Sequence, residues 1–229
     1  QKLSTLQIPL INRDDDIAEL ELESCSDQIS EEGESSEISI RLLSEPKGEV
    51  IVQLSLDKPD EATLFPNSLT FDKSNWNVRQ RLLVVGKDDN LADGDQTVTV
   101  FVRVLGNSPE YVALASQQLT LTNRDDDIAS ILIRAPERLS TSESGTSDHF
   151  EVLLQSRPEA SVRIPLRTSQ PNEVSINPEA IVIQPENWDQ PQRVTIQGLD
   201  DERLDGSQFF LINILPAESN DQLYQGLDA

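Results

Sequence analysis

The chain has 229 residues, with 41 acidic side chains against 18 basic ones and a formal net charge of −23. That balance excludes a nucleic-acid partner and docking on an anionic membrane, both of which select for basic surfaces. The single cysteine, Cys25, excludes an internal disulfide, and no apolar run is long enough for a membrane span or a signal peptide.

Apolar residues make up 36% and aromatic residues 4% of the chain. Val, Ile and Leu alternate with polar residues, which predicts strands rather than disorder. No methionine occurs, even at position 1. The chain therefore reads as an internal piece of a longer protein.

Residues Leu3–Asp16 read LSTLQIPLINRDDD, and Leu114–Asp127 read LASQQLTLTNRDDD. The heptapeptide NRDDDIA is identical in both places. The alignment makes residues 1–16 the final strand of a preceding repeat, residues 17–127 a first repeat, and residues 128–229 a second repeat lacking its own last strand. Seven strands are predicted in the first repeat. These are A at 17–23 continuing to about 28, B at 36–43, C at 49–56, D at about 62–71, E at 79–85, F at 97–104 and G at 117–122. Turn signals at Glu32-Gly33, Lys47-Gly48, Lys58-Pro59-Asp60 and Asp93-Gly94 separate them. A shift of 112 lays Ser30–Pro46 over Ser142–Pro158, and Asn75–Gln96 over Asn187–Gln208. The expected fold is all-β, with two tandem immunoglobulin-like seven-stranded sandwiches joined end to end and an orphan strand at the N-terminus.

Alternating strand direction brings the A–B, C–D and E–F loops and the end of G to one pole. The acids there are Glu31 and Glu32, then Asp57, Asp60 and Glu61, then Asp88, Asp89, Asp93 and Asp95, then Asp125, Asp126 and Asp127. The second repeat offers Glu143, Glu173, Asp200, Asp201 and Asp205. Many hard oxygen ligands without His or Cys suit Ca²⁺, whose loose six- to eight-fold coordination can draw on several loops. The stretch DDNLADGD (Asp88–Asp95) is not an EF-hand. Counted from Asp89, position 3 is Leu91 and position 12 is Val100.

The Ser-Glu-x-Gly turn, the Asp-Asp after strand E and the closing Asp-Asp-Asp resemble the Calx-beta repeat. The NWN, DDxxxDGxQ and YxGL elements look like a variant found in tandem arrays of large bacterial surface proteins. The resemblance implies a seven-stranded sandwich with Ca²⁺ at one tip. It implies Glu31, Asp88, Asp89, Asp93, Asp125, Asp126 and Asp127 as ligands, with the Leu91 carbonyl as a further one. The C–D loop departs from the family wording at Asp60 and Glu61.

Trp76 and Trp188 are expected to close the D–E connection over the sandwich edge, and Cys25 to be a small buried or idle residue. His149 has no relay partner in sequence, because neighbours on a strand point to opposite faces, so no enzyme is expected. The leading expectation is a structural segment of an extracellular or cell-surface tandem-repeat protein: a stalk, adhesin or fibre shaft. Ca²⁺ at each junction would fix the chain where Asp127 runs directly into the next repeat. Its partners would be neighbouring repeats or subunits of the same protein. A second reading is a filament subunit that donates its N-terminal strand to the second repeat of a neighbour. A third is an adhesion module for a host or matrix glycan or protein.

Overall fold

The computed structural model describes residues 8–204 and 206–229. Residues 1–7 of the expected orphan strand, and the candidate ligand Asp205, lie outside the described residues. The chain divides into two compact units, Gln1–Lys87 with Thr97–Asn123, and Asp88–Gln96 with Arg124–Ala229.

The first unit is a β-sandwich. One sheet has the order β1 (Leu20–Ser24), β3 (Ser35–Leu42), β7 (Gln80–Gly86), β5 (Ala62–Phe65). The other has the order β2 (Gln28–Ser30), β9 (Gln117–Arg124), β8 (Gln96–Gly106), β4 (Val50–Leu56), β6 (Ser68–Phe71). Period-two patterning forms the core. Ile38, Ile40 and Leu42 of β3 meet Leu82 and Val84 of β7 on one inner face, and Val50, Val52, Val100 and Val102 line the other, all at most 1% exposed.

Nine strands stand where seven are expected, because two of the seven change sheets. Strand A breaks at Ser26, whose Oγ accepts the Gln28 N–H at 2.9 Å, a local bond that competes with the ladder. Its halves, β1 and β2, join opposite sheets. Strand D breaks at Pro66, which has no N–H to give, and its halves β5 and β6 also separate. Residues 8–16 form no strand within their own chain.

The second unit repeats this plan. One sheet runs β10 (Ile131–Arg134), β11 (Ser147–Leu154), β15 (Gln192–Gly198), β13 (Val174–Asn177). The other runs β14 (Ala180–Ile183), β12 (Val162–Thr168), β16 (Ile212–Ile214), with β17 (Glu218–Ser219) also on β12. Strands β11 to β15 each begin 112 residues after β3 to β7.

Two side chains of each repeat tie loops to the core. Tyr111, in the short helix α1 (Pro109–Val112), is buried, accepts the Ser44 N–H at 3.1 Å and donates to the Ser44 carbonyl at 2.7 Å. Tyr224 is buried likewise and donates to the Ser156 carbonyl at 2.6 Å. Trp76 and Trp188 pack against the two cores, and their carbonyls accept the Leu42 and Leu154 N–H groups. Cys25 is exposed rather than buried, because the strand break beside it turns it outward, and its Sγ accepts the Glu37 N–H at 3.0 Å.

Gly86 closes strand β7 where no side chain fits. A Cβ there would lie 2.1 Å from the Ser30 carbonyl oxygen and 2.5 Å from Asn123 Oδ1. Its twin Gly198 would meet the Ser142 carbonyl oxygen at 2.2 Å. Gly86→Ala must push the Ser30 segment away. Urea unfolding is expected to show a loss of about 1–3 kcal/mol, the range for forcing atoms into a packed site.

Candidate metal centre

The acidic residues of the first repeat fall into two groups that the fold builds separately. Within the first unit the organiser is Asn123, which is 1% exposed at the end of β9. Its Nδ2 donates to Glu31 Oε1 at 3.4 Å, to the Glu61 carbonyl at 3.1 Å and to Glu61 Oε2 at 3.4 Å. One amide thus gathers the A–B loop, the C–D loop and the end of G. Glu31 is itself only 5% exposed. A buried carboxylate is costly unless it is hydrogen-bonded or meets a cation. The Asn123 Oδ1 atom is buried and accepts no hydrogen bond from the described residues. Nothing in the repeated NRDDD motif marks its Asn as more than a turn residue; the only signal is that Asn12 and Asn123 precede both triplets.

The second group lies in the second unit and contains aspartates alone. The segment Asp88–Gln96 folds back on Arg124–Asp127 through backbone donors. Gly94, held at φ +77°, donates its N–H to Asp125 Oδ2 at 2.6 Å. That left-handed geometry favours glycine. The Asp125 N–H donates to Asp95 Oδ1 at 3.2 Å, and the Asp127 N–H donates to Asp125 Oδ1 at 2.8 Å. The Leu91 N–H donates to Asp89 Oδ1 at 2.6 Å, while the Leu91 carbonyl accepts the Asp93 N–H at 2.9 Å. Carboxylate oxygens of Asp88 and Asp126 lie within 4.8 Å of each other, as do those of Asp89 and Asp127.

Asp127 carries the clearest electrostatic signature. Burial raises its pKa above the ordinary carboxylate value, and the negative charges of Asp125, Asp126, Asp88 and Asp89 raise it further. Its Oδ2 is buried and accepts no hydrogen bond from the described residues. Burial and these four negative charges are the leading causes of its shift. A crowded set of hard oxygens with a buried, unsatisfied member fits a Ca²⁺ ion.

Other acids are placed otherwise. The Asp60 side chain is fully exposed, 4.0 Å from Lys87 Nζ. Asp93 is exposed. Asp57 is spent on structure. Burial opposes its charge, but the Thr99 N–H, donated to Oδ1 at 2.7 Å, and further hydrogen bonds lower its pKa on balance. In the second repeat Glu143 and Asp200 are exposed, Glu173 and Asp201 half-buried. Among the described residues none of these four joins a three-acid grouping of such closeness.

No protein-family model matches the chain, and no curated protein matches it. Solved structures do resemble it. The crystal structure of CBD12 from CALX1.2 shares 16% identity at a TM-score of 0.37, covering 86% of this chain and 80% of that one. The calcium binding domain CBD12 of CALX1.1 shares 16% identity at a TM-score of 0.35, covering 83% and 77%. The Escherichia coli chaperone DraB shares 12% identity at a TM-score of 0.34, covering 92% and 95%. No helix among the described residues is long and apolar enough to cross a membrane.

The raised pKa of Asp127 fixes the sign of a test. The folded chain takes up this proton before the unfolded chain does. Without metal, stability therefore grows as pH falls from the raised value toward the ordinary carboxylate range, and shrinks as pH rises through that window. Asp127→Asn removes the repulsion at every pH. It is expected to raise the melting temperature in chelator and to abolish this pH dependence, measured by calorimetric scans between about pH 4 and 7.

Proposed function

We propose that this chain is a Ca²⁺-binding structural segment of an extracellular tandem-repeat protein, serving as part of a stalk, adhesin or fibre shaft. The observation that carries the reading is the half-buried Asp127, whose buried Oδ2 accepts no hydrogen bond from the described residues, among four further aspartates. The proposed ligand set is Asp88, Asp89, Asp93 and Asp125–Asp127, all within the second unit. The chain supplies the oxygens and fixes them in advance through backbone donors such as the Gly94 N–H on Asp125. Ca²⁺ would supply positive charge to offset the crowded aspartates, and its tolerance of irregular geometry suits ligands drawn from separate segments. The partners are further repeats of the same protein.

The role is mechanical rather than catalytic. The triplet Asp125–Asp127 is also the connection into the second repeat, with no glycine or proline between Arg124 and Ile131 to give slack. Charge neutralisation at these residues would stiffen that connection. The Trp pair does not support a glycan site, since both side chains pack on their cores.

Calorimetric titration of the chelator-treated chain tests the proposal. Ca²⁺ is expected to bind and to raise the melting temperature. The stabilisation should reach about 2.7 kcal/mol at a hundredfold excess over Kd. Asp89→Asn and Asp127→Asn should each weaken binding at least about tenfold, a loss of roughly 1.4 kcal/mol. Hydrogen exchange at Asp125–Ala129 should slow when Ca²⁺ is added. Absence of both binding and a thermal shift would reduce the aspartates to a solvated charged surface.

A further inference from the structure

The first unit treats the two edges of one sheet differently. That sheet runs β1-β3-β7-β5, so β1 and β5 are its edges. On β1 the outward side chains Glu21 and Glu23 are held by Arg41 and Arg79. An edge lined with charges resists further pairing. On β5 the outward side chains are Thr63 and Phe65, whose partners on β7 are Val85 and Leu83. Phe65 is 80% and Leu83 45% exposed, and Val85 is half-buried.

The second unit has the same rungs with other residues. Val174 to Asn177 pair with Gly198 to Thr195 as Ala62 to Phe65 pair with Gly86 to Leu83. Asn177, Thr195 and Gln197 stand there in place of Phe65, Leu83 and Val85. The fold therefore does not require apolar side chains at these positions. A contiguous strip of them on one surface marks an interaction site rather than scattered exposure.

The backbone of β5 is open on its far side. The Glu61 carbonyl accepts the Lys87 N–H at 3.0 Å, which makes residues 61 and 87 a hydrogen-bonded pair. Bonded and non-bonded pairs alternate along an antiparallel ladder. The N–H and C=O groups of Ala62 and Leu64 thus point away from β7, where the sheet ends. The charge beside this edge is negative. Asp60, two residues before β5, has a fully exposed side chain, and its 4.0 Å approach to Lys87 is a solvated pair that neutralises it little.

We propose that the outer edge of β5 is a docking site for an extended segment of a partner protein, apolar at alternate positions and basic toward its C-terminal end. Added antiparallel, the segment bonds Ala62 and Leu64 through its main chain. Its outward apolar side chains pack on Phe65 and continue the strip that Leu83 and Val85 begin. Its C-terminal end lies beside Asp60, where Lys or Arg meets the carboxylate. A second copy of this chain is the poorer occupant. Two molecules of net charge −23 repel, and a four-residue edge is far smaller than a stable dimer interface requires. Docking does not depend on Ca²⁺, whose proposed ligands belong to the other unit.

Panning a random-peptide phage library on the 229-residue chain in chelator, with subtraction on the Phe65→Asn/Leu83→Thr variant, tests this. Both substitutions install what the second unit holds at the same rung, and an equal melting temperature confirms that the variant folds. The selected peptides are expected to alternate apolar residues and to carry Lys or Arg near the C-terminus. Followed as synthetic peptides by fluorescence polarisation, they should bind the variant at least about tenfold more weakly. Asp60→Lys, a change at a fully exposed side chain, should weaken binding about threefold. N-methylation of alternate peptide amides should abolish it. Failure to select any peptide that discriminates the variant overturns the proposal. So does binding that Asp60→Lys or N-methylation leaves unchanged. Self-association in sedimentation velocity that the variant loses would give the edge to a second copy, and overturns it equally.

Discussion

Like charges gathered without a counter-charge dominate this protein. Two carboxylates about 4 Å apart repel by roughly 1 kcal/mol in water and by about 4 kcal/mol at the effective dielectric of a protein surface. Asp127 sits among four of them, partly buried. The fold does not relax this crowding but enforces it. Gly86 lets the Ser30 backbone approach β7, Asn123 ties Glu31 to Glu61, and Gly94 anchors Asp125. Architecture that holds repulsive groups together is intelligible when a cation completes it.

The two units show what one strand contributes to a sandwich. With β9 present, its neighbours form, and the inner residues of β8 are sealed. In the second unit the corresponding core positions Phe210, Ile212 and Ile214 are only partly buried. The other sheet of that unit is unaffected, keeping the strand order of its counterpart.

Much of this architecture could be read from the chain, because strand patterning has a period of two and the repeat has a period of 112. Strands β11 to β15 follow β3 to β7 at that interval without exception. The acidic segments could also be placed, since alternating strand direction follows from short connections. The sheet-switching breaks at Ser26 and Pro66 could not, because they depend on which sheet each half can pair with. Asn123 reads as a turn residue, yet it is buried and bridges two loops. Asp57 looks like another member of the acidic pole until the Thr99 N–H is seen to occupy it. Cys25 is expected to be buried or idle, and it stands on the surface beside the strand break, since a sequence cannot show which face a broken strand presents.

The tyrosines have a consequence for how this protein is made. Tyr111 both receives from and gives to the backbone of Ser44, and Tyr224 binds the backbone of Ser156. Each closes a loop of more than sixty residues in a chain whose lone cysteine cannot do so. A covalent link would close such a loop only under oxidising conditions and at a rate set by thiol exchange. A buried phenol closes it as soon as the core condenses. The sandwich therefore holds these long loops closed without any disulfide within the chain.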